Sequence, residues 1–468
     1  MKAIVIGGGL AGLTAAIALA EQCAQVTLLE AKPRLGGATC SFNRDGLVVD
    51  TGQHVFLRCC TAYRGLLDKL GMTAHAPIQP RFDATILAPG GREARLRRTA
   101  LPGPLHMLPA LLRYRFLSIA ERSVVSRASL AMRAVDPADP AVDNVRFGDW
   151  LAAHGQSEHA RRALWDLFTV SALNVAGDDA SLALAAVVVK TGLLGANDAA
   201  DIGVPGLPLG ELHGDAAARL LARLGAGVRL STKVTAVTFT PKSDIPTSDT
   251  PESEYPFRVE LGRGAVIGAD EVVLAVPPEQ AARLIPADAL PSAEVAAWSG
   301  LGASPIVNLH VIYDRKVTDL PFAAGVGTPV QWVFDRTRIS GYSTVSGGGG
   351  QYLAVSLSAG DEYVDMAVAD LRERFVPALA ELFGAARDAR IEEFFVTRER
   401  RATFRQVPGS GALRPDAGTK LPGLVLAGAW TATGWPDTME GAVRSGLAAA
   451  TELRRMRSQT TTELGVSL

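Results

Sequence analysis

Gly7-Gly8-Gly9-Leu10-Ala11-Gly12 has the spacing GxGxxG. The apolar, β-branched run from Lys2 to Ile6 leads into it, and an Ala/Leu-rich helical stretch, Leu13 to Glu21, follows. A second strand-like run, Val26 to Leu29, ends in Glu30. Strand, glycines, helix, strand and acid in this order form a dinucleotide-binding fingerprint. Gly7 permits the tight turn, Gly9 lets backbone approach a pyrophosphate at a helix N-terminus, and Gly12 allows close packing of helix on strand. Glu30 can accept hydrogen bonds from ribose hydroxyls. Gly7, Gly9, Leu10, Ala11, Gly12 and Glu30 are therefore candidate cofactor-binding residues.

The segment after Glu30 reads Ala31-Lys32-Pro33-Arg34-Leu35-Gly36-Gly37. An Arg four residues past the acid, then a Gly pair, resembles the second signature of the FAD-dependent amine oxidase/phytoene desaturase superfamily. Arg34 can place a guanidinium beside diphosphate and ribose, and Gly36 and Gly37 keep backbone close to the cofactor. The resemblance implies FAD, bound non-covalently, since the C-terminal motif described next has neither Cys nor His. It also implies cofactor contacts from Gln53 and from Val234, in the strand-like run Lys233 to Phe239.

Near the C-terminus, the buried-strand pattern Leu424 to Ala427 ends at Gly428 and runs through Trp430 and Trp435 to Thr438-Met439-Glu440-Gly441. Good helix formers follow, Ala442 to Leu453. A helix N-terminus aimed at a flavin would stabilise negative charge on the reduced ring, with the Met439 N–H as candidate donor. This stretch resembles the closing FAD motif of the same superfamily, which assigns Gly428, Thr438 and Met439 to the cofactor. That motif usually carries Asp or Glu after the strand-end Gly; here the residue is Ala429.

Three stretches narrow the resemblance to the hydroxysqualene dehydroxylases. They are Asp50-Thr51-Gly52-Gln53-His54, Arg401-Ala402-Thr403-Phe404 with Arg414-Pro415, and Thr433 to Gly446. Thr51 stands where that family has Asn. The resemblance implies reductive replacement of C–OH by C–H on a C30 isoprenoid, with a proton to the leaving oxygen and a hydride from reduced FAD. His54 is the acid candidate by residue type, and also a candidate flavin contact. Phe56, Trp430 and Trp435 are candidate walls of the substrate pocket, where ring faces stabilise cationic character. Alternatives are a carotenoid-type desaturase or isomerase, an amine oxidase (disfavoured because Thr438 stands where an aromatic residue is usual), and a flavin-free prenyl-binding escort protein.

The fold class expected is α/β, a Rossmann-type FAD-binding domain with a mixed α+β substrate domain. The FAD domain is expected from residues 1–80, 206–284 and 393–456, the substrate domain from 81–205 and 285–392, and a flexible tail from 457–468. Between Arg97 and Arg133 the only acid is Glu121, against seven arginines, among many leucines. Such a basic, Leu-rich segment suits an anionic membrane surface or a solvated helix face. No signal peptide or spanning run is visible, so a cytoplasmic chain, peripheral on the inner face of the cell membrane, is expected.

The 468 residues are 48% hydrophobic and 20% charged, which excludes a disordered chain. A net charge of −1 gives no basic excess for nucleic acid, and four cysteines exclude a disulfide scaffold. Seven histidines without paired ligand spacing give no metal site. A single glycine fingerprint leaves no separate NADPH domain, so a diffusible donor or partner reductase is expected to supply electrons.

Overall fold

The computed structural model describes residues 1–22, 24–241, 254–262, 264–342 and 349–463. The sequence reads Cys23 as structural, 240–256 as a solvated hairpin loop and 347–350 as a loop between two strands; Cys23, most of 240–256 and part of 347–350 lie outside the described residues. The Lys2–Ile6 strand is the centre of a five-stranded sheet, in the order Leu424–Leu426, Glu271–Leu274, Lys2–Ile6, Gln25–Leu29, Gly227–Arg229. Every pairing is parallel. Ala3 and Val5 pack with Leu13, Ile17 and Leu453 on the helix-covered face. Ile4 and Ile6 join Phe257 and Val259, which belong to an antiparallel three-stranded sheet on the other face. Burial on both faces explains why these strands read as unbroken apolar runs.

The first helix is Leu10–Ala20, so it begins inside the glycine motif. The Leu13 N–H already donates to the Gly9 carbonyl, 2.9 Å away. A Cβ on Gly12 would lie 1.9 Å from the Gly7 oxygen, and one on Gly446 2.3 Å from the Ala11 oxygen. Both glycines therefore set how closely the first helix meets its neighbours. The last helix, Met439–Glu463, runs past the expected start of a flexible tail at 457. No Gly or Pro interrupts the chain between Leu447 and Glu463, and Arg457 pairs with Glu271 at 2.6 Å.

A seven-stranded sheet forms the second unit, in the order Ile391–Thr403, Ser304–Tyr313, Gln351–Leu357, Trp332–Asp335, Phe322–Gly325, Asp83–Ala88, Arg92–Arg97. The boundary expected at 393 thus falls inside a strand, which pairs with Ser304–Tyr313 almost to its end. The helix Val368–Leu382 covers one face, where Val307, Leu309, Val311 and Val355 meet Leu371, Phe375 and Leu379. On the opposite face the same central strand carries Ser304, Asn308 and His310, all buried. The sequence Ser304-Pro305-Ile306-Val307-Asn308-Leu309-His310 alternates accordingly, with period two.

A buried ion pair joins the two units. Arg336 Nη2 contacts Asp50 Oδ2, and Asp50 Oδ1 accepts from the Leu209 N–H and the Ser41 hydroxyl. Asp50 opens the loop that carries His54. Arg336→Leu leaves that carboxylate buried without its countercharge, so a loss of about 3–5 kcal/mol is expected from denaturant melts.

Candidate active site

The glycine motif and the Arg34-Leu35-Gly36-Gly37 segment meet at the C-terminal edge of the parallel sheet, where open α/β folds collect ligands. The Gly36 N–H donates to the Gly8 carbonyl at 2.8 Å. A Cβ on Gly37 would sit 2.9 Å from the Gly9 Cα, whereas one on Gly9 meets nothing nearer than the Gly37 Cα at 3.8 Å. Gly9 therefore borders open space, at the N-terminus of the Leu10–Ala20 helix. Glu30 accepts from the Gly8 N–H at 2.6 Å and the Lys32 N–H at 2.7 Å, which fixes its carboxylate at the rim. Thr232 N–H donates to the Glu30 carbonyl at 2.8 Å and brings Val234 to the same rim. Arg34 is exposed, with Nε 3.1 Å from the Cys40 sulfur.

From the other end of the chain, Gly428 holds the turn after the Leu424–Leu426 strand at φ +147°, and its N–H donates to the Ser445 hydroxyl oxygen at 2.9 Å. Thr438 caps the last helix: its hydroxyl accepts from the Gly441 N–H at 3.2 Å. The first N–H groups of the helix, beginning at Met439, have no acceptor within a helix and can serve an anion. Glu440, fully buried, caps a second helix, Thr61–Lys69, by accepting from the N–H groups of Ala62 and Tyr63 at 3.2 and 2.7 Å. Arg444 closes this arrangement on Glu440 at 2.7 Å and lies over the Trp435 ring, 4.4 Å from its centroid.

Between these ends lies the 50–54 loop. His54 Nδ1 is 3.2 Å from the Gly52 carbonyl oxygen. Burial lowers the His54 pKa and outweighs the raising effects of that carbonyl and of Asp50. The imidazole is thus a poorer holder of a proton than residue type alone suggests. The fully buried His213 is pushed down to about 3, chiefly by burial, and Tyr63 Oη lies 2.7 Å from its Nε2. Asn308 Nδ2 donates to the Thr51 carbonyl at 3.4 Å. Among the described residues, Asn308 Oδ1 and Gln53 Oε1 are buried acceptors without a donor. Unpaired buried acceptors at one loop point to a donor-bearing ligand. A flavin ring carries such N–H groups, and the Gly9–Gly37 cradle suits a diphosphate, so these residues fit FAD.

Two expected pocket aromatics lie elsewhere. Trp430 is packed in the core: its indole N–H donates to the Val276 carbonyl at 3.0 Å, and its ring meets Trp298 edge-on at 5.0 Å. Phe56 packs over Gly203, where a Cβ would meet its ring at 2.3 Å, and edge-on to Tyr63 at 5.1 Å. Pairing of Phe56–Leu57 with Ile202–Gly203 turns it inward. Trp435 alone of the three stays partly exposed.

Sequence reasoning missed Asp437. Its Oδ2 accepts from the Phe404 N–H at 2.8 Å, and its own N–H donates to Gln406 Oε1 at 3.0 Å. Burial pushes its carboxyl up to about 6, although the Phe404 N–H and Arg414 pull it down. The signal was an acid two residues ahead of the Met439–Glu463 helix. Asn308 was missed too, and the polar alternation of its strand was the signal.

A cavity of about 960 Å³ lies between the seven-stranded sheet and the helical segment 158–171, with Phe116, Leu167, Val170 and Trp332 in its walls. Asn308, Ser356 and Trp332 lie directly opposite one another across three strands. Their side chains share one face, so the Trp332 end of the cavity lies roughly 10 Å from Asn308. The same face carries Asn308, which contacts Thr51 of the His54 loop.

Residues 10–454 match the family model described as flavin-containing amine oxidoreductase. The chain is 30% identical to hydroxysqualene dehydroxylase of Rhodopseudomonas palustris over 460 residues, 95% of this chain and 96% of that protein. It is 25% identical to the chloroplastic/chromoplastic zeta-carotene desaturase of Zea mays over 491 residues, 95% of this chain and 82% of that one. Its fold is similar to that of a putrescine oxidase double mutant, with TM-score 0.69, 19% identity and coverage of 97% and 99% of the two chains. A Methanosarcina mazei oxidoreductase superposes with TM-score 0.72 at 16% identity, covering 96% of this chain and 100% of that one. With the family matched over almost its whole length and a glycine cradle shaped for the cofactor, the chain belongs to the flavin-containing amine oxidoreductases and is an FAD-dependent oxidoreductase.

Proposed function

We propose that the protein reduces hydroxysqualene to squalene. The observation that carries this reading is the similarity of the chain over its length to hydroxysqualene dehydroxylases, together with a cavity of about 960 Å³ on the sheet face that also carries Asn308. The C–O bond breaks with its electron pair on oxygen, a proton completes water, and a hydride forms the new C–H bond. FAD, held by Gly7, Gly9, Leu10, Ala11, Gly12, Glu30, Arg34, Gly36, Gly37, Val234, Gly428, Thr438 and Met439, supplies that hydride when bound and reduced. Gln53 and Asn308 offer acceptors beside it. Phe116, Leu167, Val170 and Trp332 give the hydrocarbon chain an apolar wall. The proton is assigned to Asp437, whose carboxyl burial pushes up to about 6; His54, its pKa lowered by burial, orients the leaving hydroxyl. Electrons reach the flavin from a separate donor.

Product analysis tests the reading. Reduced, FAD-loaded protein given hydroxysqualene without oxygen is expected to yield squalene. Oxidation of zeta-carotene by the oxidised protein, with no squalene formed, would move the assignment to the desaturases, which the Zea mays relative represents.

The protein also meets a membrane surface in this reading. Leu101, Leu105, Leu108, Leu112, Ile119 and Leu130 are exposed, Ile119 at 82%, beside Arg113, Arg115 and Arg127. Phe116 is buried in the cavity wall and is not part of this surface. No helix among the described residues is long and apolar enough to cross a membrane. Leu112→Asp with Ile119→Asp is expected to cut sedimentation with anionic liposomes at least fivefold; unchanged sedimentation removes the membrane contact.

A further inference from the structure

The proposed substrate is uncharged, yet three guanidinium groups border the cavity it would enter, those of Arg92, Arg115 and Arg162. Arg162 is neutralised by Glu158 in an ion pair. Arg92 and Arg115 form no ion pair among the described residues; Arg92 lies 5.9 Å from the centroid of Phe116, which lines the same cavity. The remaining charged or titratable neighbours do not cancel them. His159 is engaged by Glu121 at 3.0 Å, and Asp166, an anion near neutral pH although burial and Asp178 push it up to about 6, forms no ion pair with Arg92 or Arg115 among the described residues; three guanidinium groups against the carboxylates of Glu158 and Asp166 leave the lining net positive. A cavity with Phe116, Leu167 and Trp332 in its walls and two guanidinium groups outside any ion pair at an exposed end suits an amphiphile with a long hydrocarbon chain and a phosphate-type head.

We propose that this cavity binds phosphate-headed isoprenoid amphiphiles, with the head held by Arg92 and Arg115 and the chain along Phe116, Leu167 and Trp332. This rests on the cavity as the path for an isoprenoid, but it concerns binding alone and needs no turnover. The head could belong to a free isoprenoid phosphate or to a lipid of the adjoining bilayer. Both offer the same anionic oxygen atoms to the guanidinium forks.

Titration calorimetry on the FAD-loaded full chain tests it, with farnesyl diphosphate, farnesol and inorganic diphosphate as probes. Farnesyl diphosphate is expected to bind at least tenfold more tightly than either other probe. The Arg92→Gln, Arg115→Gln double variant is expected to lose that tenfold advantage while its farnesol affinity and flavin spectrum stay unchanged. Displacement of farnesyl diphosphate by phosphatidylglycerol vesicles, but not by phosphatidylcholine vesicles, assigns the head to a bilayer lipid; no displacement by either assigns it to a free phosphate. Equal affinity for farnesol and farnesyl diphosphate, or an unchanged advantage in the double variant, overturns the proposal. A protein that binds farnesyl diphosphate this way yet makes no squalene would refute the proposed reaction and leave this site standing.

Discussion

Gly9→Val is expected to give a folded, colourless protein. Gly9 has φ −76° and ψ 176°, an extended conformation that valine adopts without strain. The nearest atom to an added Cβ is the Gly37 Cα at 3.8 Å, an ordinary van der Waals contact. The side chain projects into the space where the fingerprint brings backbone against a pyrophosphate. FAD affinity should fall by roughly 100-fold or more, an order of magnitude set by losing the close approach to the diphosphate. Flavin absorbance after purification and a thermal melt of the flavin-free chain check this together. Gly12→Ala makes the contrast, because its Cβ lies 1.9 Å from the Gly7 oxygen and the first helix must shift. That variant should be destabilised by about 1–3 kcal/mol even without cofactor. A yellow Gly9→Val protein would mean that the diphosphate lies elsewhere.

The second large effect is expected at Asp437. Asp437→Asn keeps an acceptor for the Phe404 N–H but cannot give up a proton at neutral pH. A fall in kcat of about 100-fold or more is expected, the usual range for a lost general acid. The parent should lose activity as pH rises through about 6, and the variant should lack that limb. Stability carries the same signature. The folded-state value lies above the ordinary 3.8, so the folded chain favours the neutral carboxyl. That preference is fully present below the ordinary value and is lost as pH rises to about 6. Thermal melts of Asp437→Asn should be flatter than the parent's over this window. If His54→Gln removes the loss of activity on raising pH and Asp437→Asn does not, the proton belongs to His54.

The parts of the fold that were legible in the sequence are those with short-range signals. Lys2–Ile6, Gln25–Leu29 and Leu424–Leu426 are apolar runs bounded by glycines or an acid, and they form the parallel sheet. The helix Thr61–Lys69 ends near Gly71, which takes φ +72°. What was not legible depends on partners far away in the chain. The last helix continues past 457 because Arg457 meets Glu271. Trp430 and Phe56 carry no local mark of which way they face; Val276, Trp298 and Gly203 decide it. The high carboxyl value of Asp437 arises from burial against residues some thirty positions upstream, and the low imidazole value of His54 from burial between two units. Residue type points to the imidazole as the acid; burial lowers its pKa and raises that of Asp437.

The central claim is a hydride delivered from bound, reduced flavin to a hydroxylated C30 chain. Its most direct measurement is an anaerobic single turnover of FAD-loaded, chemically reduced protein mixed with hydroxysqualene, with flavin absorbance and squalene followed together. The account predicts one squalene for each flavin reoxidised, at the same rate, with both slowed in Asp437→Asn. Flavin that stays reduced while hydroxysqualene persists would contradict it.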